Sequence, residues 1–536
     1  MKYVIAYDVG TTGVKTCIFG IEKKIKLIAA ASEPYDLYTL PNGGAEQDHE
    51  EWWAAMCKTT KQTFNQVKDK ISPSDIEGIS FCSQAQGLVL VDKNGVPVRR
   101  PMSYMDQRAA DLKKKYFETG IIKVAGANLI KLLICLVATK AAPTSVKDPL
   151  WKYKWVEENE PDKFAKVYKW LDVKEYLITR CTGQFVTTED DAFSTMLYDN
   201  RPNKKCWSKT ICRMFKVNMD HLPKIVKSTD CVGTLKEQAA KELGLVPGIK
   251  VFGGGGDNSL IGIGAGCTTP GDTHIYVGTS GWVSTLTTKR VVDVNSMIAA
   301  LTCPIPNTYN YFGEMETAGK CFDWVAHHLA LDEIGVYLKK EHVVDSPLNI
   351  FKTLYQYLNY ILDSVPPGSG GVIFTPWLHG NRCPFEDKNA TGLFYGLKIS
   401  TGKRQMIRAV LEGICYHLRW TLECSDKKVK SSETIRFVGG GALSPYTCQI
   451  FANILNRKIE TVGSPQNVGA VGAAAIVGLG LGIIESFDDV KNYIPRVMTY
   501  YPVKARHDTF EPYYQVFKKL YKTNKKVFKE LDAIKK

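Results

Sequence analysis

Residues 9–13 read Val-Gly-Thr-Thr-Gly and residues 277–281 read Val-Gly-Thr-Ser-Gly, 268 positions apart in a chain of 536. Recurrence at half the chain length marks a doubled unit. Each copy lies between two β-rich runs, 3–7 and 15–19 around the first, 273–276 and 282–286 around the second. Strand, short glycine tip and strand make a β-hairpin. Two such hairpins predict two similar α/β domains facing each other. Helical stretches follow both, for example 50–67 and 404–424, and residues 436–440 read as a later strand. Ser444-Pro445 reads as an N-cap with proline at the first helical position, ahead of a face made by Tyr446, Ile450, Phe451, Ile454 and Leu455. The turn Val246-Pro247-Gly248 sets the expected domains at 1–248 and 249–490, with 491–536 as a basic helical extension.

Composition narrows the class. Apolar residues at 44% and charged residues at 23% are ordinary globular usage and exclude a disordered or collagenous chain. The net charge is +14, but ten Lys/Arg against four Asp/Glu fall in residues 501–536, so +6 of it lies in one segment. There Tyr513, Phe517, Leu520, Tyr521, Phe528 and Leu531 recur at helical steps, which predicts an amphipathic helix docked on the body with a solvated basic face. That reading ranks above a nucleic-acid or membrane partner. Fifteen cysteines form no CxxC pair and no zinc spacing, and residues 1–8 lack the pattern of a secretory signal, so a reduced, cytoplasmic setting is expected. The apolar run 468–484 carries five glycines and reads as a buried, glycine-packed helix rather than a membrane span.

A phosphate cradle needs backbone N–H groups aimed into a turn, hydroxyls that add donors, and no side chain blocking close approach. Both hairpin tips meet that description, with a plain β-turn as the competing reading. Asp8 precedes the first tip, where a carboxylate suits the Mg²⁺ of a triphosphate. The chain has no GxxxxGK[ST] and no GxGxxG opening a helix after a strand. The run Gly253-Gly254-Gly255-Gly256-Asp257-Asn258 follows an apolar strand and precedes a small-residue helix, putting the Asp257 carboxylate beside a helix N-terminus whose dipole should keep it ionised. Such a group can accept the proton of an attacking hydroxyl, or simply cap the helix.

Together these segments resemble the FGGY family of carbohydrate kinases over roughly residues 3–485. The resemblance is carried by residues 8–13, by Gly78-Ile79-Ser80 through Gln84-Ala85-Gln86-Gly87, by Tyr104-Met105-Asp106-Gln107-Arg108, by residues 149–158 and by Gly439-Gly440-Gly441-Ala442-Leu443-Ser444. It implies two ribonuclease-H-like, actin-like ATPase domains closing on ATP. Carried over residue by residue, it implies Asp257 as general base, Asp8 serving Mg²⁺, and Thr11, Thr12 and Gly13 at the phosphates opposite Gly278 and Thr279. Ala318 with Gly319, and Gly440, Gly441 and Ala442, would line the nucleotide. Gln86 and Asp106 would contact sugar hydroxyls, with Tyr104 covering an apolar sugar face and Asn258 beside the substrate.

The register from Ser80 to Asp92 is similar to xylulokinase-like members, but their Met-His is Ala85-Gln86 here, their Trp-Asn-Asp is Tyr104-Met105-Asp106, and the family's Gly-Glu-Arg is Gly380-Asn381-Arg382. The expectation is therefore an ATP- and Mg²⁺-dependent kinase of an open-chain sugar, foremost a pentulose such as xylulose. Other ketoses or polyols (ribulose, erythritol or glycerol class), an actin-like ATPase switch and a silent sugar sensor are the rivals. The expected partner is a small sugar, with neither nucleic acid nor membrane, and the sequence does not decide between monomer and homodimer. All of this requires Asp8 and Asp257 to share one cleft.

Overall fold

The computed structural model describes residues 1–124, 126–329 and 354–534. The segment 330–353 of the expected second domain, and the last two residues of the expected extension, lie outside the described residues. Lys2–Val9 and Gly13–Ile21 form the first hairpin, with Asp8 opposite Lys15 and Val9 opposite Val14. Ile25–Pro34 adds antiparallel on one side, and Ile76–Ser83 then Lys250–Phe252 add parallel on the other. The second half repeats this plan. Thr273–Val277 and Gly281–Thr287 form its hairpin, Tyr309–Met315 adds antiparallel, and Thr434–Val438 then Lys458–Val462 add parallel. Both sheets thus run third-second-first-fourth-fifth, the doubled plan that the repeat implied and the ribonuclease-H-like one that the resemblance implied.

The first strand is apolar through Val4, Ile5, Ala6 and Tyr7 because both of its faces are covered. Two helices, Asp257–Gly264 and Val468–Gly480, lie between the sheets. They share one apolar cluster with Val4, Ala6 and Phe19 of the first sheet and Trp282, Leu286 and Val438 of the second. Their backbones touch: a Cβ on Gly264 would stand 1.9 Å from the Val468 carbonyl oxygen, and one on Gly472 would stand 2.1 Å from that of Leu260. Close packing of two helices explains the glycines of the apolar run. Among the described residues no helix is long and apolar enough to cross a membrane.

The division expected at 248/249 cuts through the first sheet. Lys250–Phe252 follows the Val246-Pro247-Gly248 turn but hydrogen-bonds to Ile76–Ser83, as does Gly255–Gly256 further on. The extension is also only partly helical, since Arg496–Tyr500 adds a strand to the edge of the second sheet. The helix Lys504–Ile534 then docks through Phe510, Tyr514, Phe517, Leu520 and Phe528, with the Tyr521 ring stacked on Phe385 at 3.4 Å. Leu531, expected on that apolar face, is exposed.

Candidate active site

Open α/β sheets bind ligands beyond the carboxyl ends of their strands. Both tips and Asp257 lie there. The carbonyls of the first tip are drawn into the scaffold: Gly10 O accepts from the Tyr35 hydroxyl, Thr11 O from Gln47 Nε2 at 2.7 Å, and Thr12 O from the Tyr35 amide at 3.2 Å. Gln47 is itself held by Gln84 Nε2 at 2.8 Å. Thr12 is exposed at the tip, Gly13 is half-buried, and the Thr11 hydroxyl reaches Tyr104 Oη at 3.5 Å.

The second tip rests on a helix start. The amide of Gly319 donates to Gly278 O at 2.7 Å, and those of Ala318 and Lys320 donate to Thr279 O at 3.3 and 3.2 Å. Thr279 is exposed. Ala318, expected to line the nucleotide, is fully buried behind the tip, where its methyl abuts Gly281. The Gly440–Leu443 turn packs against the end of the same strand, with Gly441 beside Val277 and the Ala442 amide bonded to Gly439 O at 3.2 Å.

Asp8 is in register with Cys82, and Cys82 with Gly255, so Asp8 and Asp257 lie along one sheet edge with a single strand between them. Neighbouring strands are about 4.8 Å apart, which sets the two aspartates on the order of 10 Å from each other. Burial pushes the Asp257 carboxyl up to about 7 against a bond from the Asn258 amide at 2.7 Å, with Asp8, Glu314 and Asp172 adding to the rise. The expectation that the helix dipole keeps it ionised is thus corrected: desolvation and like charge outweigh the dipole. Burial also raises Asp8, with Lys15 opposing. Asn258 lies next to Asp257, its side-chain oxygen taken by the Ser259 hydroxyl at 3.2 Å and its carbonyl by Asn310 Nδ2 at 3.2 Å.

On the sugar side one expectation fails. Asp106 is fully buried, with Oδ2 accepting the Ala45 amide and Arg108 Nη2, both at 2.8 Å, and Oδ1 accepting the Arg108 amide at 3.1 Å. It braces the loop and presents no free carboxylate to a sugar. Gln86 sits in a left-handed backbone conformation (φ 65°), its carbonyl held at 2.7 Å by Lys152. Lys152 is fully buried, and burial lowers its pKa to about 8. Tyr104 is half-buried; burial raises its hydroxyl pKa, and the charges of Glu314, Asp257 and Glu316 bear on it.

That last cluster was not foreseen. Arg382 pairs with Glu314 and with Glu316 at 3.2 Å, and Glu316 pairs with Lys147 of the other half at 3.2 Å. The available signal was Arg382 in the altered Gly380-Asn381-Arg382 triplet, but an ion partner such as Glu314, 68 residues away, leaves no local mark.

Among the described residues no group of three or more His, Cys, Asp or Glu could cage a metal. Mg²⁺ rarely needs one, since it takes one or two carboxylates plus phosphate oxygens and waters. A single half-buried carboxylate beside a glycine tip, with the start of Val468–Gly480 against it through Gly469, fits that mode.

Family models for the FGGY family of carbohydrate kinases match in order, the N-terminal domain over residues 3–264 and the C-terminal domain over 274–480. A xylulose kinase of Staphylococcus epidermidis is 30% identical over 537 residues, covering 99% of both chains. A gluconokinase of Bacillus licheniformis is 28% identical over 499 residues, 92% of this chain and 90% of its own. The crystal structure of ligand-bound xylulose kinase from Lactobacillus acidophilus superposes with a TM-score of 0.83 at 24% identity, over 99% of this chain and all of its own. With both family domains matched in sequence and the doubled fold in place, the chain belongs to the FGGY family of carbohydrate kinases and is an ATP-dependent sugar kinase.

Proposed function

We propose that the chain transfers the γ-phosphoryl group of ATP to a hydroxyl of an open-chain pentulose of the xylulose class, with Asp257 taking the hydroxyl proton. The observation that carries the reading is the Asp257 carboxyl itself: it ends the glycine strand on the Asp8 edge, and its pKa of about 7 lets it be both unprotonated and basic at neutral pH. ATP brings the phosphoryl group, and Asp8 would hold Mg²⁺, which would supply neutralisation of charge on the phosphate oxygens. Thr11, Thr12 and Gly13 on one wall, and Gly278 and Thr279 on the other, hold the phosphates. Gly440, Gly441 and Ala442 receive the nucleotide. Tyr104, Gln86 and Asn258 orient the sugar, and closure of the two halves keeps water from the base.

Charge favours a neutral sugar over an aldonate. The charges of Asp8, Glu314 and Asp172 act on Asp257, while Arg382 is engaged by two glutamates and Lys152 donates to the Gln86 carbonyl. A sugar carboxylate beside Asp257 would meet the charge of these acids, with Arg382 already paired to Glu314 and Glu316. Relatives named xylulose kinase and gluconokinase keep both classes in the test. ADP release coupled to a reporter, at fixed ATP and Mg²⁺, is compared across xylulose, ribulose, erythritol, glycerol and gluconate. The expected result is the highest kcat/KM for xylulose. Highest kcat/KM for gluconate would overturn the charge argument, and ADP release indifferent to sugar would favour an ATPase switch.

A further inference from the structure

The run Gly253–Gly256 that delivers Asp257 is gripped from below by a buried charged cluster. Lys174, Glu175, Asp190 and Asp191 are all nearly or fully buried. Lys174 Nζ donates to Gly253 O at 3.1 Å, to the Thr188 hydroxyl at 3.1 Å and to Glu175 Oε1 at 2.9 Å, and it pairs with Asp191 Oδ2 at 3.1 Å. At the other end of the run, Asp190 Oδ2 accepts the Gly256 amide at 3.0 Å. One end is thus held by its carbonyl and the other by its N–H, and the residue after the second grip is Asp257.

The glycines make the grip possible. Gly254 has φ +67°, and a Cβ there would stand 2.3 Å from the Phe81 carbonyl. A Cβ on Gly255 would come within 2.8 Å of Asp190 Oδ2, and one on Gly256 within 2.8 Å of Asp191 Oδ1. Burial opposes charge on Lys174, yet Glu175, Asp191 and Asp190 together raise its pKa, so the lysine stays cationic among its acceptors. The cluster is not fully paired, since Glu175 Oε2 and Asp190 Oδ1 have no hydrogen-bond partner among the described residues, so what it gives the glycine run is two fixed backbone positions rather than stability.

We infer that Asp190 and Lys174 are positioning residues, which fix the Gly253–Gly256 backbone so that the Asp257 carboxyl meets the acceptor hydroxyl in line. This rests on Asp257 being the base. Displacement of a reacting group by about 1 Å can cost on the order of 100-fold in rate.

The test compares Asp190→Ala, Asp190→Asn, Gly255→Ala and Asp257→Asn in the full chain, measuring kcat, sugar KM and nucleotide Kd. Asp190→Ala should lower kcat about 10- to 100-fold, with KM and Kd within roughly threefold. Asp190→Asn keeps an acceptor for the Gly256 amide and should recover most of the loss. Gly255→Ala, whose new methyl displaces the Asp190 carboxylate, should mimic Asp190→Ala.

A folded Asp190→Ala or Gly255→Ala protein with kcat near that of the parent overturns the inference. So does a loss of kcat matched by equal losses in KM and Kd, or failure of both variants to fold, since a structural role then suffices. An active Asp257→Asn protein would instead remove the base assignment. An inactive Asp257→Asn beside near-normal Asp190→Ala and Gly255→Ala would remove the positioning role alone.

Discussion

The two hairpin tips share a sequence and a place at the end of equivalent sheets, yet they are built differently. In the first, four residues from Gly10 to Gly13 bridge Val9 and Val14, and side chains from Tyr35 and Gln47 take the tip carbonyls. In the second, three residues from Gly278 to Ser280 bridge Val277 and Gly281, and the backbone amides of a helix start take the carbonyls. The position occupied by Asp8 in the first is Tyr276 in the second, stacked on Trp282 with ring centroids 4.1 Å apart. The cradle is thus present in both copies, while the acid that precedes the tip is present in the first only, and the second half brings its acids from Glu314 and Glu316 instead. At the tips, the first copy adds a carboxylate to backbone and hydroxyls, while the second supplies backbone and hydroxyls alone.

If that division of labour holds, Asp8→Asn should cost about 100-fold in turnover and raise the Mg²⁺ needed for half-activity, while Tyr276→Phe stays within a few-fold; equal losses would erase the contrast. The supports should differ as well. A methyl on Gly319 would meet the Gly278 carbonyl oxygen at 2.0 Å, whereas one on Gly10 comes no closer than 3.4 Å to Gly13 O. Gly319→Ala should therefore lower stability by about 1–3 kcal/mol and disturb nucleotide binding, against less than about 1 kcal/mol for Gly10→Ala, as read by denaturant midpoints.

Titration sharpens the comparison further. The base must be unprotonated to act, so kcat/KM should fall about tenfold per pH unit below the Asp257 pKa of about 7. Stability moves the opposite way. Folded Asp257 keeps its proton up to about 7, against an ordinary 3.8, so stability is lost as pH rises between those values and the penalty is complete above 7. Discounted for partial exposure, Asp257→Asn should stabilise the protein by about 1–2 kcal/mol at pH 8 and by nothing near pH 4, measured as a difference in unfolding midpoint.

What was legible in the chain was local. The two tips, the glycine run before Asp257, and the cap Ser444, whose Oγ accepts the Thr447 amide at 3.2 Å ahead of Pro445, are short patterns with a backbone reason. What stayed hidden depends on distant partners. Lys250–Phe252 follows a clear turn yet joins the first sheet, because parallel pairing is decided by a strand some 170 residues earlier. Asp106 looked available to a sugar until Arg108 and the Ala45 amide were seen to occupy it. Arg382 and Lys174 take their meaning from carboxylates that folding brings to them.

The central claim is that Asp257 removes the acceptor proton, and sugar-dependent ADP release by Asp257→Asn, with nucleotide affinity measured on the same sample, tests it most directly. The account predicts a loss of about 100-fold or more in turnover with nucleotide affinity unchanged. Turnover within a few-fold of the parent protein would contradict it.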